Sequence, residues 1–226
     1  MTEGPLLVLC ALSPELWALR GGDWTGARGG PPVLARTGMG RRRAGRSAAR
    51  LLAGEGYGAL VVAGFGASVA SGVEPGEVIV ADAVRDTDGR RFELDSAPAL
   101  AEALRARGLT AHTGLHHTAD RVVRGARRAE LRSEGALAVD MEAAAVLAAR
   151  AELRPGLPAA VLRIVVDTPE RELIRPGTLP AGLRAWRALR AAVPALTAWQ
   201  AAGGPYPAPT PLPSHPQPST LPQEAS

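Results

Sequence analysis

The sequence predicts an α/β protein, a single three-layer αβα domain whose central sheet is mixed and largely parallel. Two observations carry that expectation. Short apolar runs of buried-strand length recur along the chain, and helical stretches rich in Ala, Leu and Arg lie between several of them. A third observation bounds the domain. The alternation ends near residue 202, and from Gly203 to Ser226 the chain is rich in Pro, Ser and Thr, a composition that builds neither a core nor a regular helix. The expected organisation is therefore a domain over 1–202 and a disordered tail over 203–226.

Taken in order, Leu6–Leu12 is a continuous apolar run, as expected of a strand buried on both faces. Val33–Arg36 and Ala59–Ala63 are further strands, the second ending on the glycine-punctuated Gly64–Phe65–Gly66–Ala67–Ser68. Ala44–Leu52 is read as a helix because Ala and Leu recur among Arg at helical spacing. Val78–Ala81 is a strand, Arg85–Phe92 a polar surface loop around Asp86–Thr87–Asp88–Gly89, and Ala99–Arg107 a helix. Ala138–Asp140 and Ala159–Val166 are strands, and Met141–Ala151 and Leu183–Ala202 are helices.

At 226 residues the chain has enough length for one sizeable core, built mainly from Val, Leu and Ala because aromatics make up only 4%. All 26 basic residues are Arg, with no Lys anywhere, so neither a Schiff-base lysine nor a phosphate-loop lysine is available. The net charge of +4 comes from arginines scattered among acids without aromatic platforms, and this argues against a nucleic-acid partner. Cys10 is the single cysteine; it excludes an internal disulfide and a thiolate zinc cluster and fits a reducing, cytoplasmic setting. The run around it is too short to span a bilayer. No basic residue precedes it and Leu9 is too large for a lipoprotein-type cleavage site, so no integral membrane segment is expected.

The chemistry-bearing residues cluster at strand ends. Ligands of open α/β sheets bind beyond the carboxyl ends of strands, and there stand Glu15, Asp140, Glu142 and Asp167. Asp140 also reads as a helix N-cap before Met141, as does Asp167 before Thr168–Pro169. Thr37–Gly38–Met39–Gly40 and Gly64–Phe65–Gly66 are turns able to present backbone N–H groups to a ligand, although such turns are also common structural features. Their spacing does not match a dinucleotide fingerprint, and no cofactor is expected. Arg41, Arg42 and Arg43 follow the first turn, either as an oxyanion site or as a solvated helical turn. His112, His116 and His117 lack an acid or cysteine at ligand spacing, so no metal site is assigned to them.

In order along the chain, Leu9–Cys10–Ala11–Leu12–Ser13–Pro14–Glu15, Thr37–Gly38–Met39–Gly40 and Ala63–Gly64–Phe65–Gly66–Ala67 are followed by Pro75–Gly76–Glu77–Val78–Ile79–Val80. Val139–Asp140–Met141–Glu142–Ala143 and Leu162–Arg163–Ile164–Val165–Val166–Asp167 complete the set. This ordered set resembles the nucleoside phosphorylase and nucleosidase superfamily, in particular methylthioadenosine/S-adenosylhomocysteine nucleosidases. The resemblance implies cleavage of the N-glycosidic bond of a purine ribonucleoside, with adenine as the departing base. It assigns Asp167 as the acid that protonates the base, which requires its pKa to lie well above the usual value of about 3.9. Glu15 is the base that activates water, and Glu142 holds the ribose hydroxyls. Met141, Gly64, Phe65, Gly66 and Val122 are implied to line the substrate site, and Asp120 to stand in the pocket wall, unless it pairs with Arg121 or Arg124.

Phosphorolytic members commonly carry Ser or Thr where this chain has Phe65, which favours water over phosphate as acceptor. The same substitution and the compact length resemble hopanoid-associated phosphorylase-like proteins, implying an adenosylated hopanoid as substrate. A phosphorolytic enzyme and a non-catalytic nucleoside-binding protein stand as alternatives. Arg163, four residues before Asp167, is read as a structural partner for an acid, and self-association is implied by the family.

Overall fold

The computed structural model describes residues 4–54, 56–169 and 178–203, so the Pro-rich tail from residue 204 onward lies outside the described residues. The chain begins with β1 (Leu6–Cys10), α1 (Ser13–Arg20), β2 (Val33–Arg36), α2 (Arg41–Leu52) and β3 (Ala59–Ser68). There follow β4 (Val78–Asp86), β5 (Arg91–Glu93), α3 (Ala97–Arg105), β6 (Ala111–Thr118) and α4 (Ala126–Ser133). The domain is completed by β7 (Ala136–Asp140), α5 (Ala143–Leu153), β8 (Ala159–Asp167) and α6 (Thr178–Ala201).

The expected three layers are present, and strand periodicity explains the continuous apolar runs. In β1, Leu6, Val8 and Cys10 face a core shared with α1, α3 and α6, whereas Leu7 and Leu9 face one shared with α2 and α5. Side chains of β3 and β8 alternate in the same way: Val61 and Leu162 lie in the first core, Leu60 and Val161 in the second. Cys10 is buried, and burial pushes its thiol pKa up to about 12, so it acts as a small apolar residue.

Among the described residues five strand pairings are parallel and three antiparallel, giving the mixed, mainly parallel sheet that the alternation predicts. Its order is β2-β1-β3-β7-β6-β4-β5, with β8 bonded to both β3 and β4. The circuit β3–β8–β4–β6–β7 therefore closes on itself, because the end of β3 (Ala67, Ser68) pairs with Val139 and Ala138 of β7. That closure brings the carboxyl ends of β3, β7 and β8 together, and the candidate acids sit there.

The structure departs from expectation at several elements. Arg85–Phe92 is not an open loop: β4 runs on to Asp86 and pairs with β5, with Ala83 opposite Glu93 and Arg85 opposite Arg91. The histidine cluster lies within β6, where the register sets Val84 beside His116 and Arg85 beside His117. The polar residues there broke the apolar pattern by which buried strands are read. Helices α1 and α4 are only eight residues each, too short for a periodic signal. At the other end of the domain Gln200 closes the fold, donating to the carbonyl oxygens of Gly4 and Arg28 and accepting from the Arg28 N–H.

Candidate active site

The centre of the site is Arg163, which is 1% exposed. It lies on β8 opposite Gly64 of β3. Its Nε and Nη2 both donate to Oδ2 of Asp140, at 2.9 and 2.6 Å, and Nη2 lies 3.7 Å from Oε2 of Glu142. Burial by itself would lower the arginine pKa, but the carboxylates of Asp140, Glu142 and Glu15 hold it above the usual value. The sequence reading of Arg163 as a partner for an acid holds, and the arginine serves three acids rather than one.

Each acid is held in a different way. Glu15 stands in the first turn of α1, where Oε2 accepts the N–H groups of Ala11 and Leu12 at 2.8 and 2.7 Å. Its Oε1 crosses to β3 and accepts the N–H of Phe65 at 2.6 Å. Gly64 makes that crossing possible. A Cβ there would lie 2.5 Å from Glu15 Oε1 and 2.8 Å from Arg163 Nη1. Gly64→Ala is therefore expected to cost about 1–3 kcal/mol of folding stability. Urea unfolding would show it as a lowered midpoint, and an unchanged midpoint would mean that Glu15 is free to move aside.

Glu142 stands between β7 and α5, immediately before the helix, and its Oε1 accepts the N–H of Gly40 at 2.9 Å. Gly40 has φ of +89°, a backbone geometry that suits glycine, so the glycine turn after β2 presents its N–H to a carboxylate of the protein. Asp140 ends β7; Oδ1 accepts from Thr118 at 2.7 Å and, at 3.3 Å, from the N–H groups of Glu142 and Ala143 that open α5. The helix-capping reading of Asp140 thus holds from two residues further back than a simple N-cap. Asp167, by contrast, ends β8 and heads none of the described helices.

One guanidinium among three buried acids sets their protonation. Burial raises the pKa of Glu15 against the opposing pull of Arg163 and the three backbone N–H groups. For Glu142 burial again dominates, aided by Asp140 and Glu15 and opposed by Arg163 and Gly40. Asp140 is buried too, but Arg163, His116 and the Thr118 and Arg163 hydrogen bonds overcome that penalty and leave its pKa below the usual value. Asp140 thus carries the charge that pairs with Arg163, while Glu15 and Glu142 are tuned upward, which in Glu15 suits a group that takes up a proton. His116 is buried nearby and held neutral: burial and Arg163 lower its pKa, to about 4, against the attraction of Asp140.

Asp167 lies four residues beyond Arg163 on the same strand, roughly 13 Å further along for extended chain. It is 3% exposed, and its backbone pairs with Ala67 of β3. One of its charged contacts is with a cation. Oδ2 accepts a hydrogen bond from Nη2 of Arg128 on α4, and both side chains are buried. Arg128 also donates from Nε to the carbonyl oxygen of Val123 at 3.2 Å. It was not anticipated, since nothing in the local pattern separates it from the other arginines of the chain.

The other implied residues are distributed around this strip. Gly64 is buried; Phe65, Gly66 and Met141 are half-buried beside the acids. Val122 is 56% exposed, whereas Val123 next to it is buried against α4. Arg41 is engaged with acids: it contacts Asp88 at 2.8 Å, Asp120 at 3.0 Å and Asp86 at 3.5 Å. That pairing, and not one with Arg121 or Arg124, is where Asp120 is found. His112 bonds Glu77 at 2.8 Å. No described helix is long and apolar enough to cross a membrane.

Comparison with known proteins agrees with this architecture. The model of the phosphorylase superfamily matches residues 22–179, and the chain belongs to that superfamily. The solved structures it resembles include enzymes that cleave N-glycosidic bonds. One is the 5′-methylthioadenosine/S-adenosylhomocysteine nucleosidase of Neisseria meningitidis in complex with methylthio-immucillin-A (TM-score 0.69, 22% identity). That match covers 85% of this chain and 97% of the other. Another is the Streptococcus pneumoniae MTA/SAH nucleosidase in complex with 8-aminoadenine (TM-score 0.66, 25% identity, 84% and 99% covered). A third is the futalosine hydrolase of Helicobacter pylori (TM-score 0.70, 20% identity, 84% and 97% covered). No curated protein matches by sequence.

Proposed function

We propose that the domain of residues 1–202 hydrolyses the N-glycosidic bond of a purine ribonucleoside. The observation that carries this reading is the convergence of Glu15, Asp140 and Glu142 on one buried cation, Arg163, with Asp167 further along the same strand. Two raised carboxyls beside a fixed ion pair suit a reaction that builds positive charge on a sugar and negative charge on its departing base. Glu15 takes a proton from water as the oxygen adds to the anomeric carbon. The C–N electron pair leaves with the base, which receives a proton from Asp167. Glu142 accepts the ribose hydroxyls, since each carboxylate oxygen has a lone pair to spare beyond its present partner. Met141, Phe65 and Val122 provide apolar surface around the substrate.

Water is favoured over phosphate because Arg41, the first residue after the glycine turn in the chain, is already engaged with three acids, and because Phe65 supplies no hydroxyl. Adenine is the base that the sequence resemblance implies, with an adenosylated hopanoid as the bulkiest candidate substrate. Self-association and a cytoplasmic location complete the reading; exposed Leu12, Trp17 and Met39 offer apolar surface to a second copy. The test is a panel of purine nucleosides and 5′-substituted derivatives, assayed for free base with and without phosphate. Base release that requires phosphate, with ribose 1-phosphate as product, would select phosphorolysis; tight binding without release would select a binding protein. Glu15→Gln is expected to lower phosphate-independent release on the order of 100-fold or more. A loss below tenfold would remove Glu15 from the chemistry.

A further inference from the structure

The guanidinium of Arg128 is only partly accounted for by the contacts of the site. Its side chain is 4% exposed, and two of its three nitrogens are used: Nε by the Val123 carbonyl and Nη2 by Asp167. Nη1 is buried and has no hydrogen-bond partner among the described residues. A buried donor left unmatched is unfavourable and rare in native proteins. Here it belongs to a side chain that already touches the acid assigned to the departing base. Gly125, at the head of α4 with φ of +54° and ψ of −135°, fixes the entry of the helix that carries it.

A guanidinium has donors only, and this restricts what it can face. The edge of a purine that carries N7 and the substituent at position 6 comes in two forms. A 6-oxopurine offers two acceptors, N7 and O6, whereas a 6-aminopurine offers the N7 acceptor beside an amino donor. An acid alone suits the amino form, with its O–H donating to N7 and its other oxygen accepting from the amino group. An acid with an arginine beside it, one N–H pair unclaimed, suits the oxo form. The amino group would set donor against donor and leave Nη1 unmatched.

We propose that Arg128 is a specificity-determining residue whose Nη1 donates to the 6-carbonyl oxygen, so that the protein takes 6-oxopurine nucleosides in preference to 6-aminopurine ones. This deepens the proposed function, rests on the assignment of Asp167 to the base end of the site, and replaces adenine as the base that the resemblance implies. The arginine is a recognition group; the proton that the base acquires still comes from Asp167.

The test measures binding of the free bases hypoxanthine and adenine by calorimetry, and base release from inosine and adenosine, on the full chain. Wild type is expected to bind hypoxanthine on the order of 10- to 100-fold more tightly than adenine and to favour inosine by a similar ratio of kcat/KM. Arg128→Gln, whose amide oxygen can accept from an amino group, should bring the binding ratio to unity or invert it. Arg128→Lys, which keeps a charged donor, should preserve its direction. Adenine bound as tightly as hypoxanthine by wild type overturns the proposal, and that comparison stands even if the variants do not fold. Binding of neither base overturns it as well. Release from adenosine as fast as from inosine overturns the proposal while leaving N-glycosidic cleavage in place. A hypoxanthine preference in binding with release from neither nucleoside supports the recognition and overturns the hydrolytic reading.

Discussion

Arg163→Met is expected to cost on the order of 3–5 kcal/mol of folding stability, the loss that follows when a buried ion pair is broken by removing one partner. Methionine has comparable bulk and leaves no large cavity, so the loss is electrostatic. Asp140 is buried and depends on Arg163 for two hydrogen bonds, and Glu15 and Glu142 lose a cation that draws on both. The remaining carboxyls then lower their charge by taking up protons. The variant's stability should therefore improve relative to wild type as the pH falls through the range in which carboxyls titrate. The measurement is urea unfolding at neutral and mildly acidic pH, together with the double variant Arg163→Met, Asp140→Asn. Removing the buried anion should recover part of the loss, and a double variant no more stable than the single one would show that Asp140 is not the main partner. A single variant within 0.5 kcal/mol of wild type, the range of an ordinary surface change, would dismiss the counterion role altogether.

Asp167→Asn is expected to lower kcat for base release on the order of 100- to 10,000-fold while substrate binding changes little. That is the signature of losing a proton donor used mainly in the transition state. Asparagine keeps the shape and a carbonyl oxygen able to accept from Arg128 Nη2, so the ground-state contact survives. It also removes the anion opposite a buried guanidinium, and a thermal melt of the variant must accompany the kinetics. Turnover within tenfold of wild type, in a variant that melts normally, would mean that the base departs without help from this position.

Much of the site was legible because its residues violate the local pattern. Glu142 and Asp167 stand where apolar strands end, and buried acids in such places ask for a partner or a ligand. Glu15 was legible only through the ordered motif set, since a glutamate in the first turn of a helix is an ordinary capping residue, and in part that is what it does here. Arg128 was not legible at all. It is one arginine among 26, on a helix too short to show periodicity, and its meaning comes from packing against a strand that begins more than thirty residues later. The polar strand β6 and the short β5 were missed for a related reason, as their pairing partners and not their own composition hold them extended.

By itself the sequence determined the layers, the longer apolar strands and the longer helices between them, the strand ends that carry acids and the exclusion of lysine chemistry, because these follow from period and residue type. Only the tertiary structure decided that the sheet closes through β3 and β7, that Arg163 is the common cation of three acids, and that Asp167 is paired with Arg128. Those are facts of through-space distance. The register between strands and the packing of a helix onto a sheet set them, and no window along the chain contains both partners.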